Sequence, residues 1–280
     1  MNIVIVGLGV IGGSFGLALK EAGYPSVFGL DCCQDTLDKA LAMGIILEGS
    51  CRGEDLLPRA DLTILAIYPQ DVKRFLLEHR NHFKPGSVIT DVTGVKMPLV
   101  AALDHLLPED VDFVPGHPMA GREKKGIDYA SAKVFKGANY LLTPIPGNKE
   151  ENIQKIADLA ISLGFQRVRR ITPADHDEMI AFTSQLPHAL AVALINSDQP
   201  GRETGQFIGD SYRDLTRIAN INGELWSELF LENRHALLTV IESFDRELEK
   251  IRQALLEEDQ ETLLACFKES SRRREALDAQ

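Results

Sequence analysis

Six residues near the amino terminus have the spacing of a phosphate-binding turn. Gly7-Leu8-Gly9-Val10-Ile11-Gly12 follows a short apolar run at Asn2–Val6 and opens an apolar-periodic stretch that ends near Gly23. Between a strand and a helix, the first glycine permits the tight turn, the second lets a pyrophosphate approach the backbone, and the third allows close helix–strand packing. The helix start then offers free N–H groups and a partial positive charge to phosphate. Asp31 closes the next strand-like run, nineteen residues after Gly12. A carboxylate there binds ribose hydroxyls and repels a 2′-phosphate, and neither Cys32 nor Cys33 offers the cation that a 2′-phosphate needs. The pattern predicts NAD as cofactor, held by Gly7, Leu8, Gly9, Val10, Ile11, Gly12 and Asp31. The competing reading is a structural glycine turn in an unrelated α/β protein.

Two further segments could carry chemistry. Asp91-Val92-Thr93-Gly94-Val95-Lys96 follows a strand, where doubly wound sheets place their ligands; Thr93 could supply a hydroxyl and Lys96 a cation, or the segment is a turn with a helix cap. Val114-Pro115-Gly116-His117-Pro118-Met119-Ala120-Gly121 holds a histidine in a loop shaped by two prolines and two glycines. A neutral imidazole could take the proton of an alcohol while hydride leaves its carbon; the alternative is a histidine that bonds loop backbone. Farther on, Asp177, Ala181, Ser184 and His188 fall at i, i+4, i+7 and i+11 and would share one helix stripe, which Pro187 should kink. Arg213 and Arg217 also share a face, unless Asp210 and Asp214 simply pair with them. Trp226 is the one tryptophan.

The elements that must position these residues change character along the chain. Strand-like runs at Asn2–Val6, Val27–Asp31, Asp61–Ile67, Ser87–Val92, Val111–Val114, Asn139–Thr143 and Gln166–Ile171 alternate with helical stretches, implying a mostly parallel, doubly wound sheet. From Pro173 onward the pattern is helical, with breaks near Gln199–Gly201 and Asn222–Gly223, and Leu225–Leu256 is long for one globular helix. The fold class expected is therefore an α/β amino-terminal Rossmann-like sheet followed by an all-α carboxyl-terminal dimerisation domain. The domains expected are 1–168 for dinucleotide binding and 169–280 for substrate binding and homodimer formation. A net charge of −11 argues against nucleic acid or an anionic membrane as partner. No apolar stretch approaches the roughly 20 residues of a membrane span, and a strand-like run begins at Asn2 with no secretory signal before it. Four cysteines without metal-ligand spacing read as reduced thiols of a cytoplasmic protein. No His-x-x-x-His pair occurs, and no metal is expected.

These motifs, in this order, resemble the prephenate dehydrogenase family, which includes arogenate and cyclohexadienyl dehydrogenases. The resemblance runs through GLGVIGGS at Gly7–Ser14, DVTGVK at Asp91–Lys96, GHPMAG at Gly116–Gly121, His176-Asp177, Ser184–His188, Arg213–Ala219 and Trp226. It implies an NAD-dependent oxidoreductase of tyrosine biosynthesis that oxidatively decarboxylates prephenate or arogenate. It also implies that His117 bonds the ring hydroxyl, that His188 and Trp226 line the substrate pocket, and that Arg217, with Arg213 on its face, meets a substrate carboxylate. Arg122 would add positive charge near a dianion or would simply be exposed. His176 is equally compatible with a cap or a packing role. Three departures stand out. Gly94 occupies the place of a common family serine, leaving Thr93 as the expected hydroxyl donor toward His117; Gln185 replaces a frequent histidine; and Gly209–Tyr212 replaces a glycine-rich turn. A β-hydroxyacid dehydrogenase would need a catalytic lysine in the helical half, where only Lys250 and Lys268 stand; a non-catalytic NAD-sensing module would need an output domain.

Overall fold

The computed structural model describes residues 1–103, 106–121 and 124–278, so Arg122 lies outside the described residues. Six parallel strands form the main sheet in the order β3-β2-β1-β4-β5-β6. They are β1 (Ile3–Val6), β2 (Val27–Leu30), β3 (Glu48–Ser50), β4 (Leu62–Leu65), β5 (Val88–Asp91) and β6 (Asp112–Phe113). Residues alternate between two apolar layers: Ile3 and Ile5 enter one, Val4 and Val6 the other. Burial on both faces is why these runs are continuously apolar. Strand order reverses between β1 and β4, which opens a crevice at their carboxyl ends. The helices that matter there are α1 (Val10–Glu21), α2 (Gln34–Ala42), the single turn α3 (Gly53–Leu56), α4 (Pro69–Glu78) and the short α5 (Met97–Val100).

The expected single sheet is in fact two. Gly116–Pro118 (β7), Asn139–Leu142 (β8) and Arg167–Arg170 (β9) form a separate three-stranded sheet, with β7 antiparallel and β9 parallel to β8. His117 therefore sits on a strand paired with Leu141 and not on the loop expected from its prolines and glycines. Gly116 has no room for a side chain, because a Cβ there would lie 2.2 Å from the Tyr140 hydroxyl. Helix α6 (Glu150–Ser162) covers one face. The edge strand β3 escaped the sequence reading: it is three residues long and only half-buried.

The helical half begins with α7 (Pro173–Ile180), a π-turn at Ala181–Gln185, and α8 (Leu186–Asn196). Pro187 lacks the N–H and clashes with the preceding turn, and the π-turn absorbs that mismatch one turn earlier. Thr172 caps α7, its hydroxyl accepting from Asp175 N at 3.1 Å. Then come α9 (Asp210–Thr216) and α10 (Gly223–Glu232). The long helix expected across Leu225–Leu256 is broken at Asn233, whose buried amide donates to Asp177 O and to Gln185 Oε1. By compactness the chain divides into 1–233 and 234–280, so α7 to α10 share a unit with both sheets. The second unit is a hairpin of α11 (Arg234–Leu256) and α12 (Gln260–Asp278) with Leu248, Leu255, Leu264 and Phe267 exposed.

One expectation about apolar stretches needs correction. The continuous helical run Pro173–Asn196 is long and apolar enough, by length and mean hydropathy, to cross a bilayer. The run is not uninterruptedly apolar, but its mean hydropathy tolerates a few polar residues. Those residues, His176, Asp177 and Gln185, are buried and hydrogen-bonded to the rest of the first unit.

Candidate active site

The glycine turn builds an anion cradle. Gly7 adopts φ +83°, and a Cβ there would lie 2.6 Å from the Ala66 carbonyl oxygen; at Gly12 it would lie 1.8 Å from the Gly7 carbonyl oxygen. These two glycines are required by the turn itself. Gly9 differs, since a Cβ on it meets nothing within 4 Å. Gly9 is also the N-cap of α1 and makes no side-chain cap, so the open space lies over N–H groups that the helix cannot satisfy internally. Asp31 braces the turn by accepting from Leu8 N at 2.8 Å and from Cys33 N at 2.9 Å, with lone pairs left for hydroxyl donors. A cavity of about 240 Å³ beside it is lined by Gly7, Asp31, Ile67, Arg74 and His79, among others. Shape, donors and carboxylate all fit a dinucleotide.

A row of titratable groups crosses from β7 to α7. His117 Nδ1 lies 2.9 Å from His176 Nε2, and His176 Nδ1 lies 2.7 Å from Asp177 Oδ1. The Asp177 carboxylate also accepts from the backbone N–H groups of Lys96 and Met97 at 2.8 Å, which fastens α7 to the start of α5. An ionised carboxylate only accepts, so Nδ1 of His176 donates to it and Nε2 of His176 carries the lone pair. Nδ1 of His117 must then donate, leaving its Nε2 as the basic nitrogen. Burial, reinforced by His176 and the Lys96 cation, drives the His117 imidazole well below its usual range. Burial lowers His176 as well, against the opposing pull of Asp177. Both rings are neutral near pH 7. The arrangement can accept a proton at His117 and spread the resulting charge toward a buried carboxylate.

Lys96 and Thr93 serve this row from behind. Lys96 Nζ is buried and donates to Asp91 Oδ2, to Gly116 O, and to Thr93 Oγ1 at 3.2 Å. Those three bonds use every donor an ammonium has. The Thr93 hydroxyl donates to Asp91. The expected donation from Thr93 to His117 is therefore corrected: its hydroxyl belongs to the Asp91–Lys96 pair, and His176 meets His117 instead. Residue 94 is the one that faces the ring, since a Cβ on Gly94 would lie 3.9 Å from His117 Cε1 and 3.3 Å from Leu229 Cδ2.

The helical half carries the remaining residues. His188 stacks on Trp226 with ring centroids 3.7 Å apart, and its Nδ1 donates to Ser184 O at 2.8 Å. The expected stripe through Ser184 is displaced, because the π-turn advances the phase and buries Gln185 instead. Gln185 donates to Leu229 O at 3.0 Å and so ties α10 to this run. Helix α10 is also held to α4, through Glu228 accepting from Gln70 N and Lys73 pairing with Glu232. Arg217 lies on a 3₁₀ turn, Arg217–Ala219, packed against α8. Arg213 is exposed and pairs with Asp210 at 3.2 Å, the plainer of the two roles open to it.

Residues 15–168 match the family model of the prephenate dehydrogenase nucleotide-binding domain, and residues 172–269 match that of the prephenate dehydrogenase dimerization domain. The chain belongs to the prephenate dehydrogenase family. A cyclohexadienyl dehydrogenase of Zymomonas mobilis is 32% identical over 99% of this chain and 96% of its own length. A solved structure of prephenate dehydrogenase from Aquifex aeolicus, in complex with hydroxyphenyl propionate and NAD+, superposes with a TM-score of 0.90 at 29% identity, covering 99% of this chain and 98% of the other. A Synechocystis arogenate dehydrogenase follows at 0.84 and 27% identity, covering 99% and 100%.

His176 and Asp177 matter more to the site than their sequence context indicates. Adjacent polar residues at a helix start read as a cap. Only the pairing of His176 with a histidine 59 residues away distinguishes the two roles.

Proposed function

We propose that the chain is an NAD-dependent prephenate dehydrogenase that converts prephenate to 4-hydroxyphenylpyruvate. The observation carrying this reading is the Asp177–His176–His117 row, which leaves one neutral imidazole nitrogen as a base at the carboxyl edge of a nucleotide-binding sheet. Gly7, Leu8, Gly9, Val10, Ile11, Gly12 and Asp31 would hold the dinucleotide, and NAD+ bound there supplies a hydride acceptor. Asp31, followed by two cysteines, supports NAD+ over NADP+. Arg74, the arginine that lines the cavity, is paired with Asp71 at 2.6 Å.

His117 takes the ring hydroxyl proton at Nε2 as that oxygen becomes a carbonyl. His176 and Asp177 hold the ring in the accepting tautomer and stabilise its cationic form. Arg217 binds a substrate carboxylate, while His188 and Trp226 wall the ring. Loss of the ring carboxylate as CO2 restores aromaticity and drives the step forward. Residues 169–280 form the substrate and dimerisation half, and the exposed apolar residues of α11 and α12 support a homodimer. The free cysteines support a cytoplasmic location.

Appearance of reduced nicotinamide is to be followed with prephenate and arogenate, each with NAD+ and NADP+. Turnover of prephenate with NAD+ is expected; exclusive use of arogenate, which carries an amino group in place of the side-chain keto group, would overturn the substrate assignment. Arg217→Ala should raise the KM for prephenate at least tenfold, as loss of a charged hydrogen bond of about 1.5–3 kcal/mol requires; an unchanged KM returns that arginine to structure. Gly12→Ala forces a methyl against the Gly7 carbonyl. It should cost on the order of a hundredfold in kcat/KM for NAD+, the scale of an ångström-sized misplacement; an unaltered value would mean the turn does not hold the cofactor.

A further inference from the structure

A second cluster, unused by the dehydrogenase reading, stands at the rim of the nucleotide cavity. His79 follows α4, His82 ends the 3₁₀ turn Arg80–His82, and Glu54 lies in the first turn of α3. One ligand atom from each of the three lies within 4.8 Å of the other two. The two imidazole Nδ1 atoms are 3.3 Å apart. That lies at the long end of hydrogen-bond distances. It matches the edge of a tetrahedron, also about 3.3 Å, whose centre sits roughly 2.0–2.1 Å from each nitrogen as in zinc–imidazole bonds.

The imidazoles are held where they are. A Cβ on Gly53 would lie 2.6 Å from both Nδ1 and Cε1 of His79, so glycine makes the space that this ring fills. Phe75 packs on it with centroids 4.5 Å apart, and His82 N donates to His79 O at 2.8 Å. Glu54 is exposed and its Oε1 lies 3.3 Å from Arg52 Nε, so a side-chain rotation can bring its carboxylate inward. The two histidines stand at i and i+3 on a helix end, outside the i, i+4 spacing that marks a helical metal pair in sequence.

We propose that Glu54, His79 and His82 bind one divalent transition-metal ion of the zinc class, with a fourth position open to solvent. Two imidazoles and a carboxylate suit such an ion better than magnesium or calcium, which prefer all-oxygen sets. Because His79 also lines the nucleotide cavity, metal and dinucleotide weaken each other's binding, reciprocally.

The full-length protein, free of dinucleotide, is titrated with Zn2+ by calorimetry and with Co2+ by absorption spectroscopy. One ion per chain is expected, without a thiolate-to-cobalt charge-transfer band. His82→Ala and the surface change Glu54→Gln should each weaken binding at least about tenfold, since even partners beyond the ligands are worth about 10–100-fold. Metal-free His82→Ala should bind NAD+ like the parent, and added Zn2+ should lower NAD+ affinity in the parent alone. Equal Zn2+ affinity in parent and both variants would overturn the site. A sulfur charge-transfer band would do the same and assign the ion to Cys32 and Cys51, which line the same cavity. Zn2+ binding with unchanged NAD+ affinity would overturn the competition.

Discussion

His117→Asn should lower kcat by about 10²–10⁴-fold, the usual contribution of a positioned general base, while the NAD+ dissociation constant stays near that of the parent. The side chain is removed from β7, whereas the glycine turn is braced separately, by Asp31 accepting from Leu8 N and Cys33 N. Steady-state rates with saturating substrate and an equilibrium NAD+ titration separate the two effects; normal turnover would take His117 out of the chemistry. The parent's pH profile carries the same assignment. A base works only when unprotonated, so kcat falls as pH drops through the pKa of the imidazole. Burial, His176 and Lys96 hold that pKa well below the ordinary 6.5. The rate should therefore be flat through neutrality, with its acid limb below about pH 6.5. An acid limb above that value would mean that the base is another group or that the row carries a proton at rest.

Lys96→Met should destabilise the protein by about 3–5 kcal/mol, the cost of leaving a buried charge without its partner. Asp91 and Lys96 are both fully buried, and the ammonium donates to the Asp91 carboxylate, Thr93 Oγ1 and the Gly116 carbonyl. A urea titration measures the loss. The double change Asp91→Asn, Lys96→Met removes both charges and should regain part of it, because a buried ion pair is weak evidence for net stability. Equal stability of Lys96→Met and parent would show that the pair is not ionised. In whatever folded fraction of Lys96→Met remains, loss of the cation beside His117 should move the acid limb of kcat upward.

The glycine turn and Asp31 were legible because their determinants are local. A glycine that must take φ +83° after a buried strand, and a carboxylate at the next strand's end, announce themselves by type and spacing. Strand and helix alternation needed only periodicity. His117 drew notice through the glycines and prolines around it, yet these residues mark a paired strand and not a loop. Leu225–Leu256 looked continuous because Asn233 is an ordinary helical residue; its side chain breaks the run by bonding Asp177 O and Gln185 across the fold.

What the amino-acid order settled by itself was the two-part architecture, the glycine turn with the aspartate that braces it, and the family, through motifs recurring in fixed order. What the tertiary structure alone decided was which neighbour each reactive group has. Thr93 stands next to Gly94 in the chain, but its hydroxyl turns inward to Asp91, while residue 94 faces His117. His176 becomes the orienting partner because α7 is fastened to α5 through Asp177. Spacing along a helix or strand fixes which side a residue occupies; which distant side is folded against it depends on packing between segments far apart in the chain, and no local pattern encodes that.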